Sequence, residues 1–342
     1  MARIPFIAVR IVSETEDDIV ARLRAIAERR RRHCPPGEEH EPASWRLRDQ
    51  ARDILARRRK RSGTAHLRRE DAARLAVLKD GATLVELPDL DAADTIAAAI
   101  HADMPWMAPA TELVWHALRL GVLHRAPIRI PPLLLVGPAG IGKSAWARRL
   151  AGHLGLPDMT VEATSESAGF GITVLQAGWG SARSGRALEL ILQQRIANPV
   201  IFVDEIEKAG RATSTSGTAF DLAAALLPLL EPATARAWTC PYFRVGFDMS
   251  WISWILAANS LRGLPEPLLS RCHVVQLPPL TLADLYGFAH REATRRGLSE
   301  PSIDAITATL AAAGPRAEAL CLRTVLRMVE RAAVMERFPT VH

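Results

Sequence analysis

One eight-residue segment, Gly137–Ser144, constrains the fold of this chain more than any other, because it matches G-x-x-x-x-G-K-[ST] at every fixed position. An apolar run, Leu133–Val136, precedes this segment, and an amphipathic helical pattern follows it. This order predicts a phosphate-binding loop (P-loop) whose backbone closes around phosphate oxygens at a helix N-terminus. In such a loop Lys143 neutralises the terminal phosphates and the Ser144 hydroxyl binds Mg²⁺.

The segment therefore predicts a site for ATP together with Mg²⁺. The predicted nucleotide-binding residues are those of the P-loop and the residue after it: Gly137, Pro138, Ala139, Gly140, Ile141, Gly142, Lys143, Ser144 and Ala145. The alternative is a glycine-rich turn without a ligand. The complete motif, placed between a strand and a helix, argues against that alternative.

Two further polar positions come directly after apolar runs that are typical of buried strands. Asp204 and Glu205 follow Val200–Val203, and Asn259 ends the run Ile252–Ala258. Parallel α/β sheets place ligands at the carboxyl ends of their strands, so we expect the acidic strand next to the P-loop strand. There Asp204 would hold Mg²⁺ and Glu205 would polarise the attacking water. Asn259 is a candidate for positioning that water, although an asparagine there can also simply cap its strand.

Short apolar runs alternate with helical segments from about residue 100 onward. This pattern predicts an α/β fold, a parallel sheet sandwiched between helices. Residues 1–100 are expected to form a basic, mainly helical region with a short strand near Ile4–Val12, and the pattern after Thr281 predicts a helical lid. The predicted domains are 1–100, 101–280 and 281–342. Further strands and helices are predicted at Leu133–Val136, Val200–Val203, Ile252–Ala258, Val274–Leu277, Trp45–Lys60, Glu70–Leu78 and Arg186–Arg195.

The net charge of +6 is unevenly distributed, with dense basic runs at Arg29–Arg32 and Arg57–Arg61. Such runs bind nucleic acid or an acidic partner, or they are the solvated faces of helices. The absence of aromatic residues between the arginines favours solvated helices. No stretch of the sequence is long and apolar enough for a membrane span, and the N-terminus does not have the pattern of a secretory signal. We therefore expect a cytoplasmic protein without a membrane partner.

The motifs occur in an order that resembles the AAA+ ATPases, and in detail the ATPase module of Lon-type proteases. Asp204–Lys208 is similar to the acidic motif of that family, and Leu226–Pro232 is similar to the helix that follows it. Ala258–Ser260 and Pro267–Arg271 look like the first sensor and the arginine-finger segment. The similarity extends from about Leu133 to Arg331, over half of the chain.

The resemblance implies roles for residues that spacing alone does not assign. Arg271 would be an arginine finger that reaches the nucleotide of a neighbouring subunit, which implies a ring, a hexamer by analogy. Arg323 would be the second sensor in the lid, with Arg316 as the competing candidate. Trp179 lies where Lon-type modules place an aromatic pore-loop residue that grips an extended polymer, and the loop 210–217 is a candidate for a second pore loop.

The sequence also departs from the Lon pattern. We expect no Ser–Lys peptidase domain after the lid, and residues 1–100 do not resemble the substrate domain of that family. The first hypothesis is a ring-forming ATPase that remodels or threads a protein substrate, either alone or for a separate protease or effector protein. The alternatives are a nucleic-acid-associated ATPase whose basic N-terminal helices bind DNA or RNA, and an ATP-dependent switch with negligible turnover.

Overall fold

The computed structural model describes residues 2–32, 44–164, 184–209, 212–213, 219–220, 222–313 and 320–338. The helices are α1 (Glu16–Arg31), α2 (Ser44–Arg61), α3 (Arg69–Ala76), α4 (Leu90–Asp103), α5 (Ala108–Leu123), α6 (Lys143–Leu154), α7 (Arg186–Gln194), α8 (Leu222–Leu230), α9 (Pro232–Ala235), α10 (Glu266–Leu269), α11 (Leu282–Arg295), α12 (Glu300–Ala312) and α13 (Leu322–Arg337). The strands are β1 (Ala2–Ile4), β2 (Ala82–Leu84), β3 (Leu133–Val136), β4 (Asp158–Glu162), β5 (Val200–Asp204), β6 (Ala212–Thr213), β7 (Ala219–Phe220), β8 (Trp238–Cys240), β9 (Val245–Phe247), β10 (Ser253–Ala258) and β11 (His273–Gln276). Short 3₁₀ helices span Pro105–Met107 and Ile206–Lys208.

The central sheet is parallel and has the strand order β11-β3-β10-β5-β4. The expectation that the acidic strand β5 adjoins the P-loop strand β3 is wrong, because β10 pairs with both of them. Ile255 of β10 is in register with Leu133 on one side and with Phe202 on the other. Asn259, the residue after β10, therefore lies between the ends of the two strands that carry the motifs.

The inner strands are buried on both faces, as their continuous apolar sequences predict. Leu134 and Leu256 belong to one hydrophobic core, and their neighbours Leu133 and Ile255 belong to the core on the other face of the sheet. Helices α7 and α8 and the β8–β9 hairpin cover the first face, whereas α4, α5, α6 and the lid helices α11, α12 and α13 cover the second. The predicted α/β sandwich with a helical lid is thus confirmed.

Helix α11 begins directly after Thr281, which is a strong helix start. Its hydroxyl accepts a hydrogen bond from the Asp284 N–H, and the Asp284 carboxylate accepts one from the Thr281 N–H. This reciprocal capping box satisfies amides that the first turn of α11 leaves without helical partners.

The N-terminal region has two unlike parts. Helices α1 and α2 form a hairpin, which we call the basic hairpin, around a small core of its own: Ile19, Val20, Leu47, Ala51 and Leu55. The segment before it adds to the β8–β9 hairpin, because the Ala8 N–H donates to the Gly246 carbonyl and the Asp248 N–H to the Phe6 carbonyl, both at 2.9 Å. Residue 100, the predicted domain boundary, lies inside α4; the domain limits remain predictions.

Several predicted elements differ from the structure. The strand expected at Ile4–Val12 is reduced to β1 and an isolated bridge from Ile7 to Phe247. Strand β11 is an edge strand rather than a fully buried one, and 39% of Val274 is exposed. Strand β4 was not predicted, because its sequence mixes polar and apolar residues and only one of its five positions is buried. Among the described residues, no helix has the length and apolar character that crossing a bilayer requires.

Candidate functional site

The P-loop connects β3 to α6 at the carboxyl edge of the sheet. Gly140 and Gly142 have φ angles of 80° and 94°, which favour glycine over other residues. A Cβ atom at Gly140 would lie 2.5 Å from the Cys321 Cβ, and one at Gly142 would lie 2.7 Å from the terminal methyl of Met104. Both positions therefore favour glycine for conformation, and Gly140 also favours it for space. Helix α6 begins at Lys143, so its unpaired first amides belong to the loop.

Lys143 is nearly buried, with only 7% of its surface exposed. Its Nζ donates to the carbonyl oxygens of Gly137 and Pro138 at 2.7 and 3.0 Å, and to Oδ1 of Asn259 at 3.1 Å. Burial lowers the pKa of this ammonium group, and the nearby Asp204 opposes that shift. Because an ammonium group has three donors, contact with a phosphate requires Lys143 to release at least one of these acceptors.

Asp204 and Glu205 lie at the same edge of the sheet, at the end of β5. Burial raises the pKa of the Asp204 carboxyl, while the hydrogen bond from the Glu205 N–H at 2.9 Å and the charge of Lys143 act against that rise. Glu205 has a φ of 53°, a left-handed conformation that is unfavourable for a residue with a side chain and is often found at functional sites. Its Oε1 accepts a hydrogen bond from Lys208 Nζ at 2.6 Å.

Asn259 bonds to charged groups on two sides rather than only capping β10. Its Oδ1 accepts from Lys143, while its backbone N–H and its Nδ2 donate to Oε1 of Glu207 at 3.0 and 2.9 Å. The structure thus brings Lys143, Asp204, Glu205 and Asn259 together at the ends of three adjacent strands. Sequence reasoning missed Glu207, although it falls within the acidic motif.

These side chains line one wall of a cavity of about 500 Å³. The residues of this wall, on the sheet and the P-loop, are Ala139, Gly140, Gly142, Lys143, Ser144, Ala145, Asp204, Glu205 and Asn259. A second wall combines apolar and charged side chains from the residue after α4, from α6 and from the lid: Met104, Arg148, Arg149, Phe288, Glu292, Leu322, Arg323 and Leu326. Apart from Arg323, sequence reasoning missed the second wall. The four-residue spacing of Leu322 and Leu326 was an available signal, whereas no spacing connects Met104 with Phe288.

Trp106 links the P-loop to the lid behind this cavity. Its Nε1 donates to the carbonyl oxygen of Ile141 at 2.8 Å, and its ring packs edge-on against Phe288 of α11 at 6.0 Å between centroids. Asp103, at the end of α4, forms ion pairs with Arg149 of α6 and Arg295 of α11. The position of the lid is therefore tied to the P-loop by both an apolar contact and an ionic one.

The residues whose roles rest on the Lon resemblance differ in where they lie. Arg323 is an exposed residue at the lid side of the cavity. Arg271 is not among the described residues that line this cavity; its guanidinium donates to the Pro267 carbonyl at 2.8 Å and lies 3.9 Å from the Glu231 carboxylate. Trp179 and Arg316 lie outside the described residues, as does most of the loop 210–217. Their assigned roles remain predictions.

The residues present fit a nucleoside triphosphate with Mg²⁺. The cavity volume is in the usual range for small-molecule sites, and its polar wall combines a helix N-terminus, a lysine and two carboxylates. Ser144 and Asp204 offer oxygen ligands, which Mg²⁺ prefers. Among the described residues there is no group of three or more histidine, cysteine or acidic side chains placed for a metal. Mg²⁺ would therefore take its remaining ligands from phosphate and water, as is usual for this ion.

Comparison with known proteins agrees with this geometry. Residues 133–280 match the model of the ATPase family associated with various cellular activities (AAA). Lon protease homolog 2, peroxisomal, of Zea mays is 31% identical over 153 residues, which are 45% of this chain and 17% of that protein. Lon protease 2 of Sorangium cellulosum (strain So ce56) is 29% identical over 188 residues, which are 52% of this chain and 23% of that protein. The chain thus spans less than a quarter of these two relatives.

A solved structure extends the likeness of the fold beyond the matched segment. A chain of the S. cerevisiae Hsp104:casein complex in its extended conformation gives a TM-score of 0.58 at 15% sequence identity, over 94% of this chain and 63% of that chain. At this identity the likeness shows the fold. The family match and the sequence relatives show that residues 133–280 form an AAA+ domain that resembles the ATPase module of Lon-type proteases.

Proposed function

We propose that this chain hydrolyses ATP to ADP and phosphate with Mg²⁺, and that it uses the reaction to remodel or thread a protein substrate. The observation that carries the first part is the convergence of Lys143, Asp204, Glu205 and Asn259 at one cavity, from three adjacent strands. These groups have the charges and donors that phosphoryl transfer to water requires.

Each polar group has a distinct task in the proposed reaction. The P-loop amides and Lys143 hold the phosphates, and Ser144 and Asp204 hold the metal ion. Bound Mg²⁺ supplies positive charge against the phosphate oxygens. Glu205 accepts the proton of the attacking water, so its bond to Lys208 has to yield or rearrange. The amide of Asn259 orients that water. The apolar side chains Met104, Phe288, Leu322 and Leu326 provide a wall for the adenine ring.

The substitution Glu205→Gln tests this assignment, because it keeps the size of the side chain and removes its basicity. We expect turnover to fall by about 10²- to 10⁴-fold, the usual contribution of a general base, while ATP remains bound. Steady-state phosphate release and binding of a fluorescent ATP analogue measure the two effects. Normal turnover in this variant would remove Glu205 from the mechanism, and no turnover in the parent chain would favour the nucleotide switch instead.

We further propose assembly into a ring, most simply a hexamer, in which Arg271 acts on the nucleotide of the neighbouring subunit. The position of Arg271 outside its own cavity lining supports an action between subunits. Mixing the Arg271→Ala variant with the Glu205→Gln variant tests this assembly. In a mixed ring, an Arg271→Ala subunit keeps its own glutamate and can receive an intact arginine from a neighbouring Glu205→Gln subunit. Recovery of ATPase activity in the mixture, with light scattering to give the mass, supports the ring. A fully active monomer contradicts it.

A protein substrate is the class that the relatives favour. The Hsp104 structure is a complex with casein, and the sequence relatives are proteases by name. On this proposal Trp179 contacts the substrate within the ring, and the location is cytoplasmic. Trp179→Ala should retain ATP hydrolysis but lose substrate remodelling, measured as the unfolding of a fluorescent reporter protein. Equal remodelling by the variant and the parent chain would exclude threading by this tryptophan. A pull-down with the Glu205→Gln trap would identify the substrate.

A second candidate function is nucleic-acid binding by the basic hairpin, and one observation favours it. Helix α2 carries eight cationic and two acidic side chains over 18 residues, and only one face, with Leu47, Ala51 and Leu55, is buried. The exposed Trp45, with the Arg46 guanidinium 5.2 Å from its ring centroid, adds a surface on which a base can stack.

Salt-titrated binding to single- and double-stranded DNA and to RNA tests this candidate. Contacts to phosphate predict that the logarithm of the affinity falls linearly with the logarithm of the salt concentration. The double variant Arg57→Glu, Arg61→Glu should weaken binding and reduce the slope of this salt dependence. Glu28→Gln, on the same hairpin, is the control, and it makes the net charge one unit more positive. The absence of binding near physiological salt would remove the candidate.

A further inference from the structure

Glu207 lies within the acidic motif but has no task in the proposed chemistry. It lies in the short 3₁₀ helix Ile206–Lys208, two residues after the proposed base. Its Oε1 accepts two hydrogen bonds from Asn259, one from the backbone N–H at 3.0 Å and one from Nδ2 at 2.9 Å. The residue that is proposed to orient water is thus held at both its backbone and its side chain by one carboxylate.

This contact determines which way the Asn259 amide points. The oxygen and the nitrogen of an amide are similar in size, so rotation about the last side-chain bond exchanges them with little steric change. An ionised carboxylate only accepts hydrogen bonds, and an ammonium group only donates them. The Glu207 carboxylate therefore favours the amide orientation in which Nδ2 points toward it. Lys143 Nζ, 3.1 Å from Oδ1, favours the same orientation because it needs the oxygen on its own side. In this orientation the second Nδ2 hydrogen is left for another acceptor.

Glu207 is half-buried, and the environment of its second carboxylate oxygen argues that its role is more than packing. Its Oε2 is buried and has no hydrogen-bond partner among the described residues. An unsatisfied buried oxygen is unfavourable, and apolar or neutral side chains of similar size would avoid it. A carboxylate is nevertheless present here, in direct contact with the asparagine at the cavity and close enough to Lys143 to act on its charge.

Nucleotide binding would make Glu207 more important to this arrangement. All three donors of Lys143 are engaged in the structure, one of them with Asn259. When Lys143 turns to the phosphates, its hold on the Asn259 oxygen weakens. The two bonds to Glu207 then remain, so this carboxylate would keep the amide in place during hydrolysis.

We propose that Glu207 is a positioning residue for ATP hydrolysis, which fixes the backbone and the side-chain amide of Asn259 in the orientation that aligns the attacking water. This inference rests on the proposed function, in which Asn259 orients that water. Glu207 does not contact the substrate itself, so its removal should slow the chemical step without a matching loss of nucleotide affinity.

The test compares Glu207→Ala and Glu207→Gln, each alone and combined with Asn259→Ala. The alanine variant should lower kcat by about 10- to 100-fold, because misorientation near the reacting atoms has effects of this size, while affinity for ATP changes less than threefold. Glutamine retains an acceptor oxygen for both donors, so it should recover most of kcat. In the Asn259→Ala background, Glu207→Ala should cause no further decrease, because the group that it positions is already absent.

The outcomes separate this proposal from the proposed function. If the parent chain hydrolyses ATP and Asn259→Ala slows it, an unchanged kcat in Glu207→Ala overturns only the positioning role. Additive losses in the double variant overturn it as well, as does a glutamine variant as slow as alanine. If the parent chain has no turnover, the proposed function itself fails. Thermal unfolding checks the fold, and if Glu207→Ala is unstable, Glu207→Met fills the same space without the acceptors and takes its place.

Discussion

The nucleotide cavity and the basic hairpin use charge in opposite ways. At the cavity a few ionisable groups are partly or wholly buried, and the pKa values of Lys143 and Asp204 are displaced by that burial. On the hairpin many ionisable groups lie in solvent around a small apolar core. Because solvent and salt screen exposed charges strongly, each hairpin charge contributes little alone, whereas the buried charges of the cavity are screened much less. Single changes should therefore act strongly at the cavity and only cumulatively on the hairpin.

The largest effect on ligand binding is expected for Lys143→Ala. The substitution removes the buried ammonium group that we propose binds the phosphates. The loss of charge-assisted hydrogen bonds of about 1.5–3 kcal/mol corresponds to roughly 10- to 150-fold weaker ATP binding. Isothermal titration with ADP and a non-hydrolysable ATP analogue measures it. Lys60→Ala, an exposed position of α2, is the matched control and should bind normally. Equal losses of ATP affinity in the two variants would contradict the contrast between the nucleotide cavity and the basic hairpin.

A substitution in the core of the basic hairpin should strongly reduce the stability of the hairpin but leave the rest of the fold unchanged. Leu55 is 8% exposed in the small core between α1 and α2. Leu55→Ala is expected to destabilise the hairpin by about 2–3 kcal/mol, at the lower end for a buried leucine because this core is small and near solvent. Hydrogen exchange should show faster opening of α1 and α2, with unchanged protection of β3, β5 and β10. Uniform loss of protection would show that the hairpin and the sheet unfold as one unit.

A moderate effect is expected at the apolar wall of the cavity. Leu326 is half-buried and lines the cavity from α13. Leu326→Asn should weaken nucleotide binding by about tenfold, because roughly 1–2 kcal/mol of apolar contact with the base is lost, and KM for ATP should change more than kcat. Leu123→Asn, at a position with 66% exposure, is the control. A larger effect on kcat than on KM would mean that this wall takes part in the chemical step.

The smallest effect is expected for the ion pairs of Glu14 with Arg22 and Arg58, which join the start of α1 to α2. Hydrogen bonds from Arg22 and then Arg58 lower the pKa of Glu14. The contribution of such a group is present above its unfolded pKa and is lost as pH falls through its lowered folded pKa. Glu14→Gln should destabilise the hairpin by less than about 1 kcal/mol at neutral pH. The difference from the parent chain should disappear in acid and shrink in high salt, as followed by hydrogen exchange.

The predicted site residues differ in the kind of sequence signal from which each was predicted. Lys143, Ser144, Asp204 and Glu205 were predictable because each belongs to a contiguous motif whose local backbone brings the group to the end of a strand. Asn259 was predictable as the end of a strand, but not as a neighbour of Glu207, because the two are 52 residues apart. Trp179 and Arg316 were assigned by resemblance, and their roles remain predictions.

The fold shows the same division between local pattern and long-range contact. Apolar runs predicted β3, β5 and β10, because strands covered on both faces need apolar residues at every position. They did not predict that β10 inserts between β3 and β5, since strand order is not written in any single run. Strand β4 was missed because an edge strand tolerates polar residues.

The sequence by itself determined the two local motifs on which the proposed chemistry depends: a glycine-rich turn ending in Lys143 and Ser144, and a buried strand ending in two carboxylates. Such motifs act through backbone conformations of a few residues, so neighbouring positions are enough to specify them. The tertiary structure decided what surrounds these motifs: Asn259 lies between them, Glu207 contacts Asn259, and lid residues line the same cavity. These contacts join distant residues, and they depend on strand order and helix packing, which only the folded chain sets.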